Sequence, residues 1–180
     1  LSAFVELRMG YHALEVGDFD TATDLMARAA EALTSVGHVR GAAVCRKGLA
    51  HVLDERFQLW SAHTEITAAL RDVQTLGNRV WEAHAHELEA SVLTRLGLYE
   101  QGVSTARAAI ETLRSAGQDT HLRSSLMIIG AGLAALGHRE EAARAMTTSV
   151  RSLRAAGAAN ARRYLFFIWA RFLVDDKRWA

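Results

Sequence analysis

The sequence predicts an all-α fold, a solenoid of antiparallel helical hairpins with about four and a half repeats of 40 residues. Three observations predict it. Glycines recur at two registers spaced by 40: Gly37, Gly77, Gly117 and Gly157 in one, Gly17, Gly97 and Gly137 in the other. Small residues recur at the same spacing, as in Ala22, Ala62, Gly102 and Ala142. There is no proline, and Ala, Leu, Arg and Glu abound, which favours helix throughout. A fixed long period marks a stack of identical supersecondary units.

The elements follow in order. Helices are expected at about 2–16, 19–36, 39–56, 59–76, 79–96, 99–116, 119–136, 139–156 and 159–175. Most are followed by a glycine, which takes the left-handed cap conformation without a Cβ clash. Gaps of two or three residues force antiparallel neighbours. The repeats then run 1–38, 39–78, 79–118 and 119–158, with a partial fifth at 159–180. Together they make one repeat domain, expected to be a fragment of a longer protein.

The repeated side chains show which faces meet. The first helix of each pair, helix A, carries Gly10, Ala50, Ala90, Gly130 and Ala170 at one register, with Ala13, Leu53, Leu93, Leu133 and Leu173 beside them. The second, helix B, carries Ala29, Ala69, Ala109 and Ser149, flanked by Leu33, Val73, Leu113 and Leu153. This is helical spacing, not strand alternation. One hairpin cannot bury such a face, so hairpins must stack.

The turns Gly17-Asp-Phe-Asp-Thr-Ala22, Gly97-Leu-Tyr-Glu-Gln-Gly102 and Gly137-His-Arg-Glu-Glu-Ala142 resemble those of the tetratricopeptide repeats, Gly-x-aromatic-x-x-small. The resemblance covers essentially the whole chain. HEAT and armadillo repeats also run near 40 residues, but lack this turn signature. The tetratricopeptide repeat is about 34 residues, so each helix here should be about one turn longer. The proline that closes that repeat is replaced by glycine. The long, proline-free form resembles repeats of large bacterial regulators, such as the maltose-activator (LuxR-type) and antibiotic-regulatory proteins. The resemblance implies a right-handed superhelix whose A helices line a concave, partner-binding groove.

Carried over position by position, that groove comprises Phe4, Leu7, Tyr11, Leu14 and Glu15 in the first repeat. Val44, Lys47, His51, Asp54 and Glu55 follow in the second, and His84, Glu87, Ser91, Thr94 and Arg95 in the third. Ser124, Met127 and Ala131 follow in the fourth, and Tyr164, Phe167 and Arg171 in the fifth. The residues expected to meet a ligand are Tyr11, Lys47, His51, Asp54, Glu55, His84, Glu87, Arg95, Met127 and Arg171. The groove would be apolar at its ends and polar in the middle, suiting a peptide or helix with apolar anchors around charges. The plainer expectation is that Lys47 faces Glu87 and Glu55 faces Arg95 as ordinary ion pairs between repeats.

Repeat two places Phe57 where glycine is expected, followed by Gln58-Leu59-Trp60. Either this turn has a different geometry or the aromatics have a task. The expectation is that Phe57 and Trp60 fill local gaps.

Composition excludes several classes. Formal net charge is +1, from 21 basic and 20 acidic residues, which makes no global case for nucleic acid or membrane. Arg139, Arg144, Arg151 and Arg154 are read as a solvated convex face, since Glu140 and Glu141 share their helix. The single Cys45 excludes an internal disulfide, fits a reducing, cytoplasmic setting, and is read as a packed core thiol. His84 and His86 point to different helix faces and cannot share one ion, so no metal and no cofactor are expected. Neither a phosphate loop nor a nucleophile elbow is present, and no enzymatic activity is expected.

The chain is therefore read as a protein- or peptide-binding scaffold, a sensor or interaction segment of a bacterial transcription regulator. The alternatives are a self-association module using the aromatic fifth repeat, and a small-molecule sensor.

Overall fold

The computed structural model describes residues 2–156. Among them every element is a helix: α1 (Ala3–Val16), α2 (Phe19–Ser35), α3 (Val39–Glu55), α4 (Leu59–Thr75), α5 (Arg79–Arg95), α6 (Tyr99–Ser115), α7 (Asp119–Ala135) and α8 (Arg139–Ala156). The expected helix at 159–175, with Arg171 and the partial fifth repeat, lies outside the described residues. Several helices end a residue earlier than expected, because the final turn is closed by the cap.

Each helix packs on its neighbours in sequence, so the described residues form four successive hairpins. In addition α1 approaches α3, α3 approaches α5 and α5 approaches α7 closely, whereas the described B helices stand farther apart, α6 and α8 being bridged by Arg107 and Glu141 at 3.4 Å. The odd-numbered A helices therefore crowd the inner face, and the B helices splay on the outer one.

The turns repeat one hydrogen-bonding scheme. After α5, Gly97 N–H donates to Thr94 O at 3.2 Å and Leu98 N–H to Leu93 O at 2.9 Å. That is the paired cap expected of a left-handed residue beyond a helix end. The six glycines at these turns have φ between 64° and 83°. Phe57 has φ 59° and makes the same two bonds, Phe57 N–H to Asp54 O and Gln58 N–H to Leu53 O. The turn of repeat two thus has the common geometry despite its bulky residue. Helix starts are held by side chains in three places: Asp18 accepts from Thr21 N–H, His38 Nδ1 from Gly41 N–H and Asn78 from Trp81 N–H.

Small residues set how closely the helices approach. A Cβ added at Gly130 would lie 2.5 Å from Met146 Cγ, and one at Gly102 would lie 2.3 Å from Thr94 Oγ1. Met26, Ile66, Leu113 and Met146 are fully buried between hairpins, each stabilising the stack by roughly 1.5–3 kcal/mol. Cys45 is among this core, and burial pushes its thiol up to about 11, which makes it a poor nucleophile.

Candidate functional site

Four A helices bring polar side chains to one place on the inner face. Tyr11 of α1, Lys47, His51, Asp54 and Glu55 of α3, His84, Glu87 and Ser91 of α5, and His121 and Ser124 of α7 line a cavity of about 320 Å³. Helical spacing brings them together: positions three and four apart share a face, and residues 40 apart stand side by side on successive A helices.

The charges are arranged unevenly. Lys47 is largely desolvated, which lowers its pKa, and the nearby Glu87 opposes that shift. Glu87 hydrogen-bonds His121 Nδ1 rather than pairing with Lys47. His121 stacks on His84, with ring centroids 4.0 Å apart and planes at 27°. Burial lowers the pKa of His84, and His121 and Lys47 add to the effect. Tyr11 is pushed up to about 12 by burial and then by the Cys45 thiol.

At the rim the expected pairing is corrected. Arg95 bonds Asp54, Nη1 to Oδ2 at 2.8 Å, not Glu55. Glu55 faces His51 on its own helix at 3.8 Å. Asp54 is only 4% exposed, and its Oδ1 is buried without a hydrogen-bond partner. Desolvation raises its pKa, against the lowering effect of Arg95. The same Arg95 guanidinium lies 4.4 Å from the centre of the Phe57 ring. Phe57 is 77% exposed and Trp60 69%, so neither fills a gap. Phe57 is a platform for the cation that neutralises Asp54, and Trp60 stands edge-on to His63.

Seven of the ten expected ligand residues therefore line the cavity: Tyr11, Lys47, His51, Asp54, Glu55, His84 and Glu87. Arg95 stands behind Asp54. Met127 does not belong to the groove surface: it is buried in the core with Val103, Ala106 and Met146. Leu7 is likewise a core residue, packed with Ala29 and Leu33. His121 was not among the expected residues. It lies one turn before Ser124, and its separation of 37 from His84 is one repeat less one helical turn, the only sequence signal for it.

His86 points away from His84, bonding Glu89 at 3.0 Å and approaching Glu82 at 3.8 Å. Among the described residues no group of three or more His, Cys, Asp or Glu side chains is placed to hold a metal ion. Nor is any helix there long and apolar enough to cross a membrane. Of the basic residues on α8, Arg144 approaches Glu140 at 3.8 Å.

No protein-family model matches the chain, and no curated protein matches it. Solved structures do match in fold. The apo form of RapI superposes with a TM-score of 0.76 at 13% identity, covering 98% of this chain and 65% of that one. A Rap protein complexed with competence and sporulation factor also gives 0.76, at 14% identity, covering 96% of this chain and 54% of that one. The chain thus spans less than two thirds of the length of either protein it resembles, and shares with them a tetratricopeptide-like array of paired helices.

Proposed function

We propose that this chain is a non-enzymatic binding scaffold that takes a peptide, or an extended segment of a protein, along its inner face. The observation that carries the reading is the convergence of charged and hydroxyl side chains from four successive A helices on one partly desolvated cavity. Hydrogen bonds and charges that are shielded from water discriminate strongly between ligands. The cavity offers donors at Lys47 and Tyr11 and acceptors at Glu55 and Glu87, a mixture suited to a peptide backbone with charged side chains. One protein of the same fold has been solved with a competence and sporulation factor bound. Placement of the chain as a sensor or interaction segment of a bacterial transcription regulator, with cytoplasmic location, is part of this proposal and rests on the likeness of its repeats. Self-association through the fifth repeat concerns residues outside those described.

The test is selection from a displayed random-peptide library, followed by fluorescence anisotropy with the enriched peptides. Lys47→Gln, Glu87→Gln and the cavity-filling Ser91→Tyr should each weaken binding at least about tenfold, the loss of one charged or well-placed hydrogen bond. Arg139→Gln, far from the cavity, should not. Enriched peptides that bind all four variants equally would remove the inner face as the site.

A further inference from the structure

The charges lining the inner cavity are matched at one end and unmatched at the other. Its carboxylates all have partners: Asp54 holds Arg95 at 2.8 Å, Glu55 faces His51 at 3.8 Å, and Glu87 bonds His121. Lys47 is left over. Among the described residues no carboxylate forms an ion pair with it, although Glu87 is near enough to favour its charged form. Its ammonium is nonetheless largely desolvated. A desolvated cation without a counter-ion is costly, so an unmatched one inside a cavity marks a place for an anion from outside.

The surroundings of Lys47 are specific. Lys47, Glu87, His84 and His121 act on one another, whereas Asp54 answers to Arg95, Glu55 and His51. At the Lys47 end the rings of His84 and His121 are stacked with centroids 4.0 Å apart, and His84 Nε2 is buried with no hydrogen-bond partner. The titratable groups facing His84 are Lys47 from α3, Glu87 from α5 itself and His121 from α7. Gln118 of α7 is a neutral neighbour that favours the protonated ring. The helices α4 and α6, which also pack on α5, add no group to that set.

We propose that a carboxylate of the bound peptide settles beside Lys47, and that His84 takes up a proton when it does. The inference rests on the peptide-binding reading above. Its physical basis is that His84 is kept neutral by burial first, then by His121 and Lys47. A carboxylate beside Lys47 cancels part of that positive field, so anion and proton favour each other. The coupling is reciprocal: each strengthens the hold on the other by the same factor. Binding therefore tightens as pH falls from about 7.5 toward the His84 midpoint.

The experiment follows the histidine ring signals of the full chain by NMR through a pH titration. Two probes carry one carboxylate each: N-acetylalanine, where it ends a chain, and N-acetylglutamic acid α-methylamide, where it is a side chain. Each is present at about 50 mM, a level that detects weak binding. At least one should raise the His84 midpoint by about 0.5 or more, a threefold or greater coupling. Which one does so assigns the carboxylate to a terminus or to a side chain. Lys47→Gln should raise the midpoint with no probe present, and the probe should then add nothing. Lys47→Arg should restore the response. An unmoved midpoint, or an equal rise with uncharged N-acetylalanine methylamide or with chloride at the same ionic strength, would overturn the proposal. So would a rise that survives in Lys47→Gln. The enriched peptides separate this inference from the reading beneath it. Peptides weakened by Ser91→Tyr that bind equally at about pH 7.5 and 5.5 would overturn the proton linkage alone. Peptides indifferent to Ser91→Tyr would remove the inner face as the peptide site, and with it this use of Lys47.

Discussion

Phe57 holds a backbone conformation that glycine holds at the other turns. Its φ of 59° costs a non-glycine residue about 1–2 kcal/mol, and the exposed ring recovers part of this through Arg95, at about 0.5–1 kcal/mol. The two contributions can be separated. Phe57→Gly should change stability by less than about 1 kcal/mol, relief of strain offsetting loss of the stack. Phe57→Ala keeps the strain and should destabilise by about 0.5–1 kcal/mol in urea unfolding. A Phe57→Ala variant as stable as the parent would show that the ring does nothing for Arg95, and equal stability of the two variants would show that the left-handed backbone costs nothing. His84 gives a pH prediction. Its folded-state pKa is lowered, by burial first, so the unfolded chain takes up the proton first. The stability it contributes is complete above its ordinary pKa of about 6.5 and is lost as pH falls toward the lowered value. His86 has the opposite sign. Its bond to Glu89 is the largest cause of a raised pKa, so its contribution is complete below about 6.5 and is lost as pH rises through the raised value. Urea midpoints at about pH 7 and 5.5 should therefore fall less on acidification in His84→Phe than in the parent, and more in His86→Phe. Parallel pH profiles for the three proteins would rule out this assignment.

At the scale of helices, the close contacts sit where the repeat supplies small residues. Gly102 faces Thr94 and the carbonyl of Ala90 across its own hairpin. A methyl group there has no free space, so Gly102→Ala should destabilise by about 1–3 kcal/mol through overpacking. Thr94→Ser would leave most of that penalty, because the backbone of α5 is also close. Thermal melts that show Gly102→Ala to be neutral would mean that α5 and α6 can move apart at little cost. The hairpins are joined at their edges by a second kind of contact, a cation held over an aromatic ring. Arg40 lies 4.5 Å from the Trp81 ring centre, as Arg95 does over Phe57. The helices and their stacking order were legible in the sequence, because 40-residue glycine spacing and small-residue registers are local, periodic signals. The partners at the groove rim were not. Register places Arg95 opposite Glu55, but one residue of helical rotation turns Asp54 inward, and only the packed backbone sets that rotation.

Along the described residues, close backbone contacts run between sequence neighbours and successive A helices, with the Arg107–Glu141 ion pair linking α6 to α8. Stability should then be nearly a sum of local terms along the stack. Ile66→Ala opens a hole between α3, α4 and α5 and should cost about 2–5 kcal/mol. Its effect on amide exchange should be concentrated in α3 to α5 and nearly absent in α8. Uniform loss of protection from α1 to α8 would instead indicate one cooperative unit. The same linear build explains why the candidate site spans four helices without any loop: an inner surface made of successive A helices is a continuous strip, along which an extended ligand can lie.

The amino-acid sequence by itself determined the class of fold, the helix order and the turn positions. Those follow from periodicity and from backbone chemistry at helix ends, which each segment carries in its own residues. Tertiary structure alone decided that Met127 is core and His121 lines the cavity. It also decided that Glu87 bonds an imidazole instead of Lys47, and that Phe57 supports Arg95 and fills no gap. Each of those outcomes depends on the rotation and separation of two packed helices, which no single helix specifies.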